Sequence, residues 1–502
     1  MLPILANMGL VLQLAGILVA FPIIMGFVYN ETQAIISLFV TSFTFFFFGF
    51  SLNALSVREE LDFRQSCILL TGVFFILGIL GAIPYFWLNA FNDSSLTVRF
   101  VNSFFESVSG YTTTGFSLIT DPDALPRSLM FYRSFTHLIG GLGIVFILLS
   151  FFYSGKTLDN MSRVLNFMRV TDSIKKSLAS ILVVYTVYIL LFSAIIYVVG
   201  FTDAANTISV VLSSLMTGGF SPVADFSSYS AFPAALVVIV MMIFGATSFF
   251  IHYRLIHRKF RTAFTKEFCI FVLISTIGVL AVQAVYPLDI LTTVFHVLSA
   301  STGTGFSTIN FGEIPEKAKF LFIILMFLGG MSFSTAGGIK IFRLAILLKS
   351  IPFVLGSLAG KELEKIEFDG NDYDRKDILT NLLFILLSVV LVIVTGALLT
   401  FSGFGLTDSM FEAVSAFATS GLSVGIVSVA LAGHMKLALI ILMVIGRVEI
   451  LPFLITVAKI KDYRIVQVRR YEDWLKGELS AKDFQFAAPY EVNDKLENKE
   501  IK

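Results

Sequence analysis

The sequence is poor in charge, cysteine and histidine, and each shortage argues against a class of protein. Only 14% of its 502 residues are charged, whereas about a quarter is usual in soluble domains. So few charges cannot cover a soluble surface, which argues against a soluble enzyme, a nucleic-acid-binding protein and a disordered chain. Two cysteines and five scattered histidines suggest no disulfide framework or metal motif. The net charge of +1 indicates no polyanionic partner.

Apolar residues, in contrast, make up 56% of the chain, and the mean hydropathy is +0.86. A helix needs about 20 apolar residues to cross the hydrocarbon core. Ten runs meet this requirement: 8–29, 33–52, 66–90, 128–153, 178–200, 232–253, 268–287, 319–343, 378–401 and 435–458. We therefore expect an integral membrane protein. The first run has no basic n-region and no A-x-A cleavage site, so it is expected to stay as a helix, kinked at Pro22.

The basic residues predict the orientation in the membrane. On one side lie 29 of the 36 lysines and arginines. That side comprises the end of the eighth run and the segments 53–65, 154–177, 254–266, 344–377 and 459–502. The positive-inside rule places this side in the cytoplasm. We expect a multi-pass protein of the cytoplasmic (inner) membrane with both termini in the cytoplasm.

Four short polar clusters recur between the apolar runs, all on the side opposite to the basic connections. Each follows a mildly apolar stretch long enough for half a helix. Aligned on a glycine, all four share Gly, then Phe or Leu, then Ser. The clusters are Thr112–Ser117, Met216–Ser221, Thr302–Ser307 and Ala418–Ser423. A single copy would fit a helix kink or a packing site, but four copies in register indicate an internal repeat.

This repeat predicts an ion filter. Glycine permits backbone angles that turn successive carbonyl oxygens towards an axis, and rings of oxygens replace the hydration shell of a monovalent cation. The half-helices before the loops would direct their partly negative C-terminal ends at the cavity beneath. The predicted filter residues are Thr113, Thr114, Gly115 and Phe116; Thr217, Gly218, Gly219 and Phe220; Gly303, Thr304, Gly305 and Phe306; and Thr419, Ser420, Gly421 and Leu422.

The predicted fold is an all-α polytopic membrane protein with four M1-P-M2 repeats in a pseudo-fourfold arrangement. Each repeat comprises a helix, a pore half-helix with a filter loop, and a second helix. Two further transmembrane helices precede the repeats. The predicted boundaries are 1–57 for the N-terminal pair, then 58–160, 161–260, 261–360 and 361–458 for the repeats, and 459–502 for a cytoplasmic tail.

With these clusters the chain resembles the Trk/Ktr/HKT superfamily of potassium transporters, most closely the TrkH-type subunit. The resemblance covers nearly the whole chain and includes three further motifs: Arg133-Ser134 followed by Gly140–Gly143, then Gly329–Lys340, and Gly446–Glu449. It implies a potassium-conducting pore, a homodimer in the lipid bilayer, and a cytosolic nucleotide-binding regulatory subunit of the TrkA type. Sodium-conducting members tend to have serine at the first filter glycine, so glycine at all four positions implies potassium.

The glycine-rich stretch 329–338 interrupts the eighth apolar run. By itself it fits a kinked helix with small residues at a packing seam. The resemblance instead implies an intramembrane loop beneath the filter that acts as a gate. The gate residues expected on this basis are Ser332, Ser334, Thr335, Gly337, Gly338 and Arg447.

Three further observations leave alternatives open. Arg447 lies inside an apolar run, where an unpaired charge costs several kcal/mol; it either ties helices together or, as the resemblance implies, forms a positive barrier in the pore. Glu449 is close in sequence, but residues at i, i+2 do not face each other on a helix. Glu106 and Glu412, nine residues before their filter glycines, either attract cations or hydrogen-bond behind the filter. The additional glycines, Gly218 and Gly303, are expected to loosen their loops.

Together these features predict gated, channel-like potassium uptake, with K⁺ as the transported ion, no organic cofactor and no covalent chemistry. The membrane potential supplies about 2.3 kcal/mol per charge per 100 mV, which suffices for accumulation. A sodium-conducting or weakly selective cation pore and an ion-coupled potassium symporter remain alternatives. A transporter with inverted repeats is disfavoured because all four loops enter from one side. A membrane enzyme is disfavoured because the spans lack metal ligands and an acid–base pair.

Overall fold

The computed structural model describes residues 2–54, 59–143, 172–259, 264–358, 365–369 and 371–457. Within them, six helices are long and apolar enough to cross a membrane, or eight if two sharply bent helix pairs are counted. Residues up to Thr456 form one compact unit. All the predicted domain boundaries and the tail 459–502 lie outside the described residues, so they stay predictions.

The N-terminal region consists of the helices Leu2–Val19, Phe21–Val28 and Thr32–Ala54. Proline has no backbone N–H to donate, and Pro22 lies in the first turn of the second of these helices, as the predicted kink requires. The side chain of Glu31 accepts hydrogen bonds from the backbone N–H groups of Arg127 (2.7 Å) and Ser128 (2.9 Å). This carboxylate therefore caps a helix of repeat 1 and joins the N-terminal region to it.

Each repeat begins with a long apolar helix, here called its outer helix. The outer helices are Phe63–Gly81 continued by Ile83–Leu88, then Asp172–Val199, Lys266–Val285 and Arg375–Phe401. The first and last of these start at capping boxes, in which Asp62 pairs with Gln65 and Asp374 with Asp377. Such boxes satisfy N–H groups that the first turn of a helix leaves unpaired.

A shorter helix follows each outer helix and is here called the pore helix. The pore helices are Leu96–Tyr111, Ala204–Leu215, Ile290–Ser301 and Leu406–Phe417. Three of them have 12 residues and are therefore about 18 Å long, too short to cross a bilayer. Their C-terminal halves, including the serines, are buried in protein. These are the half-helices that the sequence predicts.

The second helix of each repeat, here called the inner helix, departs from a regular α-helix in all four repeats. The segments are Arg127–Leu138 with a π-helical turn Ile139–Gly143, Ala234–Ala246 with Phe249–Ile256, Glu316–Phe327 with Ile341–Leu358, and Gly433–Val448 with Ile450–Val457. The second and fourth bend by 106° and 114°. The prediction of continuous spans over 232–253 and 435–458 is therefore wrong, while residues 144–153 of the fourth predicted run lie outside the described residues.

In three repeats the inner helix comes very close to the end of the pore helix at the point where it changes course. A Cβ at Gly140, Gly245 or Gly446 would overlap the carbonyl oxygen of Tyr111, Leu215 or Phe417, respectively, the last residue of the pore helix in the same repeat. Only glycine allows two backbones to come this close. The inner helices therefore leave their straight course where they contact the ends of the pore helices.

Polar contacts join one repeat to the next near the start of the inner helices. Arg127 pairs with Asp203 between repeats 1 and 2. Lys319 Nζ lies 2.7 Å from Asp408 Oδ1 between repeats 3 and 4, and Lys436 Nζ lies 2.6 Å from Asn102 Oδ1 between repeats 4 and 1. The last of these contacts joins the fourth repeat to the first.

A two-stranded hairpin lies between repeats 3 and 4 and is missing from the all-α prediction. Its strands, Ile366–Phe368 and Asn371–Tyr373, pair antiparallel, with Ile366 opposite Tyr373. The sequence between the strands is Asp369-Gly370, and Asp-Gly is a strong signal for a tight hairpin turn. This signal could have revealed the hairpin before the structure did.

Candidate functional site

All four pore helices end in the same backbone turn. The residue two before each aligned glycine has a positive φ: Thr113 (55°), Thr217 (50°), Gly303 (69°) and Thr419 (48°). The aligned glycines also have positive φ: Gly115 (81°), Gly219 (73°), Gly305 (86°) and Gly421 (78°). Positive φ is a region that residues with a side chain seldom occupy. The sequence repeat is thus a repeat of backbone conformation.

The four turns meet around one centre. Each aligned glycine lies against the carbonyl oxygen of the residue that precedes the aligned glycine of the next repeat. The contacts are Gly115 with Gly218, Gly219 with Thr304, Gly305 with Ser420, and Gly421 with Thr114. A Cβ at any of these four glycines would overlap the carbonyl oxygen it faces. Because the series returns from repeat 4 to repeat 1, the loops form a closed ring, here called the filter ring.

A hydrogen bond behind the ring recurs in three repeats. The residue nine before the glycine accepts from the backbone N–H three after it: Glu106 from Leu118 (2.8 Å), His296 from Thr308 (3.1 Å) and Glu412 from Val424 (3.1 Å). In repeat 2 the corresponding residues are Val210 and Pro222, so acceptor and donor are absent together. Both glutamates are fully buried, which favours the interpretation that they support the filter from behind.

Arg133 connects the loops of repeats 1 and 2. Its Nη2 lies 2.8 Å from Glu106 Oε1, and both side chains are buried. Its Nη1 donates to the carbonyl oxygen of Ser221 at 3.1 Å, and its guanidinium lies 4.2 Å from the ring centre of Phe220. Burial of such a pair is tolerated because each charge is neutralised and hydrogen-bonded.

The two additional glycines differ in their surroundings. A Cβ at Gly218 would overlap the imidazole of His137, which stacks on Phe220 with ring centres 4.6 Å apart. Gly303 occupies the positive-φ position that threonine holds in the other three repeats. His137 was not among the predicted site residues, since one histidine in an apolar run carries no motif.

The hydroxyls around the ring differ in their partners. Thr112 and Thr114 bond each other at 2.8 Å, as do Thr302 and Thr304. The hydroxyls of Thr113, Thr419 and Ser420 are buried and have no hydrogen-bond partner among the described residues. The side chains of Phe116, Phe220, Phe306 and Leu422 are each 1% exposed and fill the protein around the ring.

Residues 328–340, here called the intramembrane loop, lie directly against the filter ring. The loop separates the two halves of the inner helix of repeat 3, and its ends are joined by the bridge of Leu328 with Ile339. The hydroxyl of Thr335 lies 3.0 Å from that of Thr217. A Cβ at Gly337 would overlap the hydroxyl of Thr419. The loop thus contacts filter residues of repeats 2 and 4.

The other predicted gate residues belong to the same loop or contact it. Ser332 bonds the buried carboxylate of Glu267 through its N–H (2.7 Å) and hydroxyl (2.9 Å). Ser334 donates to the carbonyl oxygen of Met331 at 2.6 Å. Gly338 has a φ of +71°, which explains the need for glycine there. Glu267 was missed because it lies in the first turn of a distant helix.

Arg447 contacts the loop through carbonyl oxygens. Its Nη1 donates to Thr335, and its Nη2 donates to Gly140 (3.0 Å) and Gly141 (2.9 Å). Glu449 pairs with Arg343 at 2.6 Å. Arg447 therefore ties the intramembrane loop to repeat 1. Its acceptors are carbonyl oxygens, so its positive charge is hydrogen-bonded but is not balanced by a carboxylate within these contacts.

A cavity of about 790 Å³ is lined by the intramembrane loop and by residues around Arg447. Its charged lining residues include Glu267, Lys340, Arg343 and Glu449. Side chains of both signs thus surround this space. Its lining includes Ser332, Ser334 and Gly338 of the loop, so movement of the loop would alter it.

The fold and the ring define the class of protein: a polytopic helical membrane protein with pore-loop repeats around a common centre. The sequence model of the TrkH family, described as a cation transport protein, matches residues 35–465. The chain belongs to this TrkH cation transport protein family.

Similar proteins support this assignment. An uncharacterized cation transporter of Methanocaldococcus jannaschii is 30% identical over 473 residues, covering 91% of this chain and 95% of the relative. The Trk system potassium uptake protein TrkH of Vibrio parahaemolyticus is 25% identical over 363 residues, covering 68% of this chain and 73% of the relative. The solved structure of the potassium transporter TrkH from Vibrio parahaemolyticus has a TM-score of 0.80 at 22% identity, over 91% of this chain and 98% of that one. This last likeness concerns the fold.

Proposed function

We propose that the protein carries K⁺ into the cell through the filter ring. The observation that supports this best is the closed series of contacts between the four aligned glycines and the carbonyl groups of the neighbouring loops. Related proteins of Vibrio parahaemolyticus and Escherichia coli are described as potassium uptake proteins. A ring of four loops provides enough oxygen atoms to replace the water around one dehydrated cation.

The backbone of the filter loops is the proposed ligand for the ion. Carbonyl groups of the sixteen predicted filter residues, together with the free hydroxyls of Thr113 and Thr419, coordinate the cation. The C-terminal ends of the pore helices add negative potential. Buried groups such as Arg133 and Glu106 hold the loops at a fixed width, which favours one ion size over another.

The proposed gate is the intramembrane loop together with Arg447. The loop lies against the filter residues Thr217 and Thr419, so an ion that leaves the ring meets it. The charge of Arg447 near the loop adds an electrostatic barrier to a cation. Glycines 337 and 338 allow the loop to change its backbone conformation.

Orientation and partners form part of the same proposal. The excess of basic residues in the connections opposite to the four polar clusters supports a cytoplasmic location for that side and for both termini. The resemblance to the family suggests a homodimer and a cytosolic nucleotide-binding subunit of the TrkA type. The membrane potential then drives K⁺ inwards without a coupled ion. We propose that the protein resides in the cytoplasmic (inner) membrane.

A flux assay tests the proposed filter. Liposomes with the purified chain should take up K⁺ in preference to Na⁺. Gly115→Ser adds a side chain at positive φ that would overlap the carbonyl of Gly218. We expect the K⁺-to-Na⁺ flux ratio to fall about tenfold, which corresponds to about 1.4 kcal/mol.

The matched control is Gly403→Ser. Gly403 also has positive φ (100°), but nothing lies within 4 Å of a Cβ placed there. This variant should keep the parent's ion preference. A Gly115→Ser protein that discriminates between the ions like the parent would contradict the proposed filter, and equal uptake of Na⁺ and K⁺ by the parent would favour the weakly selective alternative. Dependence of K⁺ uptake on a proton or sodium gradient would favour the symporter.

A further inference from the structure

The intramembrane loop is held at both ends by a carboxylate that the proposed function does not use. Glu267 lies in the first turn of the outer helix of repeat 3 and is only 7% exposed. Its Oε1 accepts from the N–H of Ser332 (2.7 Å), the hydroxyl of Ser332 (2.9 Å) and the N–H of Phe342 (3.2 Å). Ser332 lies near the start of the loop and Phe342 just after its end. One oxygen therefore brings the two ends together.

Two cationic side chains also donate to backbone carbonyl groups of the loop, Arg447 to Thr335 and Lys340 to Ala336, whereas contacts of the loop with the inner helix of repeat 2 are uncharged. The N–H of Met331 donates to the carbonyl of Ala246 at 3.0 Å, and the carbonyl of Phe333 accepts from the N–H of Phe249 at 2.8 Å. These are neutral hydrogen bonds. Bonds to a charged carboxylate are roughly twice as strong as neutral ones. Glu267 thus supplies charge-assisted hydrogen bonds at both ends of the loop.

The position of Glu267 is in turn set by the hairpin 366–373. Asp369 accepts from the backbone N–H groups of Lys266 (3.0 Å) and Glu267 (3.4 Å). These N–H groups belong to the first turn of the outer helix, which has no intrahelical acceptors for them. The hairpin is fixed by Phe368, which is 3% exposed. A continuous series of contacts therefore leads from the hairpin through Glu267 to the loop.

We propose that Glu267 is the positioning residue of the intramembrane loop and that the hairpin acts on the loop through Asp369 and Glu267. This inference rests on the proposed function in one respect: the loop is taken as the gate. Displacing the hairpin at the cytoplasmic face removes Asp369 from the helix N-terminus. Glu267 then shifts, and the loop loses the acceptor that joins its ends.

Hydrogen–deuterium exchange of the purified full-length protein tests the positioning role directly. In Glu267→Ala the amides of residues 328–342 should exchange about tenfold faster, because opening of the loop no longer breaks the bonds to the carboxylate. Glu267→Gln keeps an oxygen acceptor and should show a smaller increase. Exchange in the pore helix Ile290–Ser301 should match the parent in both variants, which checks that the protein is folded.

Thr265→Ala is the matched control. The Thr265 hydroxyl accepts from the N–H of Phe268 at 3.3 Å. This bond caps the same helix and involves no residue of the loop. The variant should leave exchange of the loop at the parent's rate. If Thr265→Ala accelerates loop exchange as much as Glu267→Ala does, a general weakening of the helix start explains the effect and the proposal is overturned.

The series of contacts predicts non-additive effects. Asp369→Ala should accelerate exchange of the same loop amides, and the double variant with Glu267→Ala should exchange no faster than Glu267→Ala alone. Additive acceleration would show that the hairpin acts by another route and would overturn that part of the proposal.

Flux measurements on the same variants separate this inference from the proposed function. Faster loop exchange together with raised K⁺ flux in liposomes supports both. Faster exchange with unchanged flux supports the positioning role and contradicts the assignment of the loop as the gate. Unchanged exchange in Glu267→Ala overturns the positioning role, whatever the flux of the parent.

Discussion

At the scale of single residues, equivalent positions support the filter ring with different chemistry. Glu106 and Glu412 occupy the same position and bond the same backbone N–H in their repeats. Glu106 is also paired with Arg133. Glu412 has no lysine or arginine within ion-pair distance in the described part of the chain; the hydroxyl of Ser423 donates to it at 2.5 Å. Glu106 and Glu412 can therefore be compared as equivalent positions with and without an ion pair.

Glu106→Gln is expected to destabilise the protein far more than Glu412→Gln. The first change leaves the buried Arg133 without a counter-charge, which costs about 3–5 kcal/mol. The second keeps an amide oxygen as acceptor and should cost about 1 kcal/mol. Thermal unfolding of the two purified variants in the same detergent measures the difference. Similar losses in both would contradict the role given to the ion pair.

At the scale of elements, the interruption of each inner helix creates the parts that surround the proposed pathway. In repeat 3 the interruption spans residues 328–340 and becomes the intramembrane loop. In repeat 1 the π-helical turn Ile139–Gly143 presents the carbonyl groups of Gly140 and Gly141 to Arg447. Free carbonyl groups at helix breaks need donors, and the guanidinium supplies them. One side chain thus joins two broken helices.

Arg447→Ala is expected to raise K⁺ flux in liposomes severalfold, because it removes both a positive charge and the tie on the loop. Arg447→Lys keeps the charge but cannot reach three carbonyl groups in the same geometry, so its flux should lie between those of the parent and the alanine variant. The measurement is initial uptake at equal amounts of reconstituted protein. A folded alanine variant with the flux of the parent would contradict the barrier.

At the scale of the whole molecule, polar contacts as well as the filter loops join the last repeat to the first. Lys436 is 1% exposed and donates to Asn102 Oδ1 (2.6 Å) and to the carbonyl of Val429 (2.8 Å). This contact joins the last repeat to the first. Lys319 joins repeats 3 and 4 in the same manner through Asp408. The arrangement of the repeats therefore includes an interface between repeat 4 and repeat 1, here called the seam.

Lys436→Met should lower the free energy of unfolding by about 1–3 kcal/mol, since it takes the donor from the buried Asn102 oxygen and from the partly buried carbonyl of Val429. Lys317→Met, at an exposed lysine in the same region of repeat 3, is the control and should have little effect. Both are measured as thermal unfolding midpoints in detergent. Equal midpoints for the two variants would show that the seam does not need Lys436.

Much of the architecture was predictable because it depends on periodic, local features. Apolar runs predicted membrane helices, since the hydrocarbon core requires about 20 apolar residues. The four glycine clusters predicted the filter loops, since positive φ at Gly115 and its counterparts needs glycine. Repeat 2 has Val210 and Pro222 at the positions that supply the acceptor and the N–H donor of the hydrogen bond behind the ring in the other repeats. This joint replacement was visible in the sequence, but its structural reason was not.

Only the tertiary structure decided which distant groups meet. The pairing of Arg133 with Glu106, of Glu449 with Arg343 and of Glu267 with Ser332 joins residues that no sequence period relates. The breaks in the inner helices of repeats 2 and 4 were hidden because Thr247 and Glu449 lie in long apolar runs, and the bend occurs where these helices pack against pore helices. Composition thus determined the membrane helices, and the recurring clusters determined the number of repeats. Close packing of backbone against backbone determined the ring and the loop beneath it, and it brought together the charged groups that hold them.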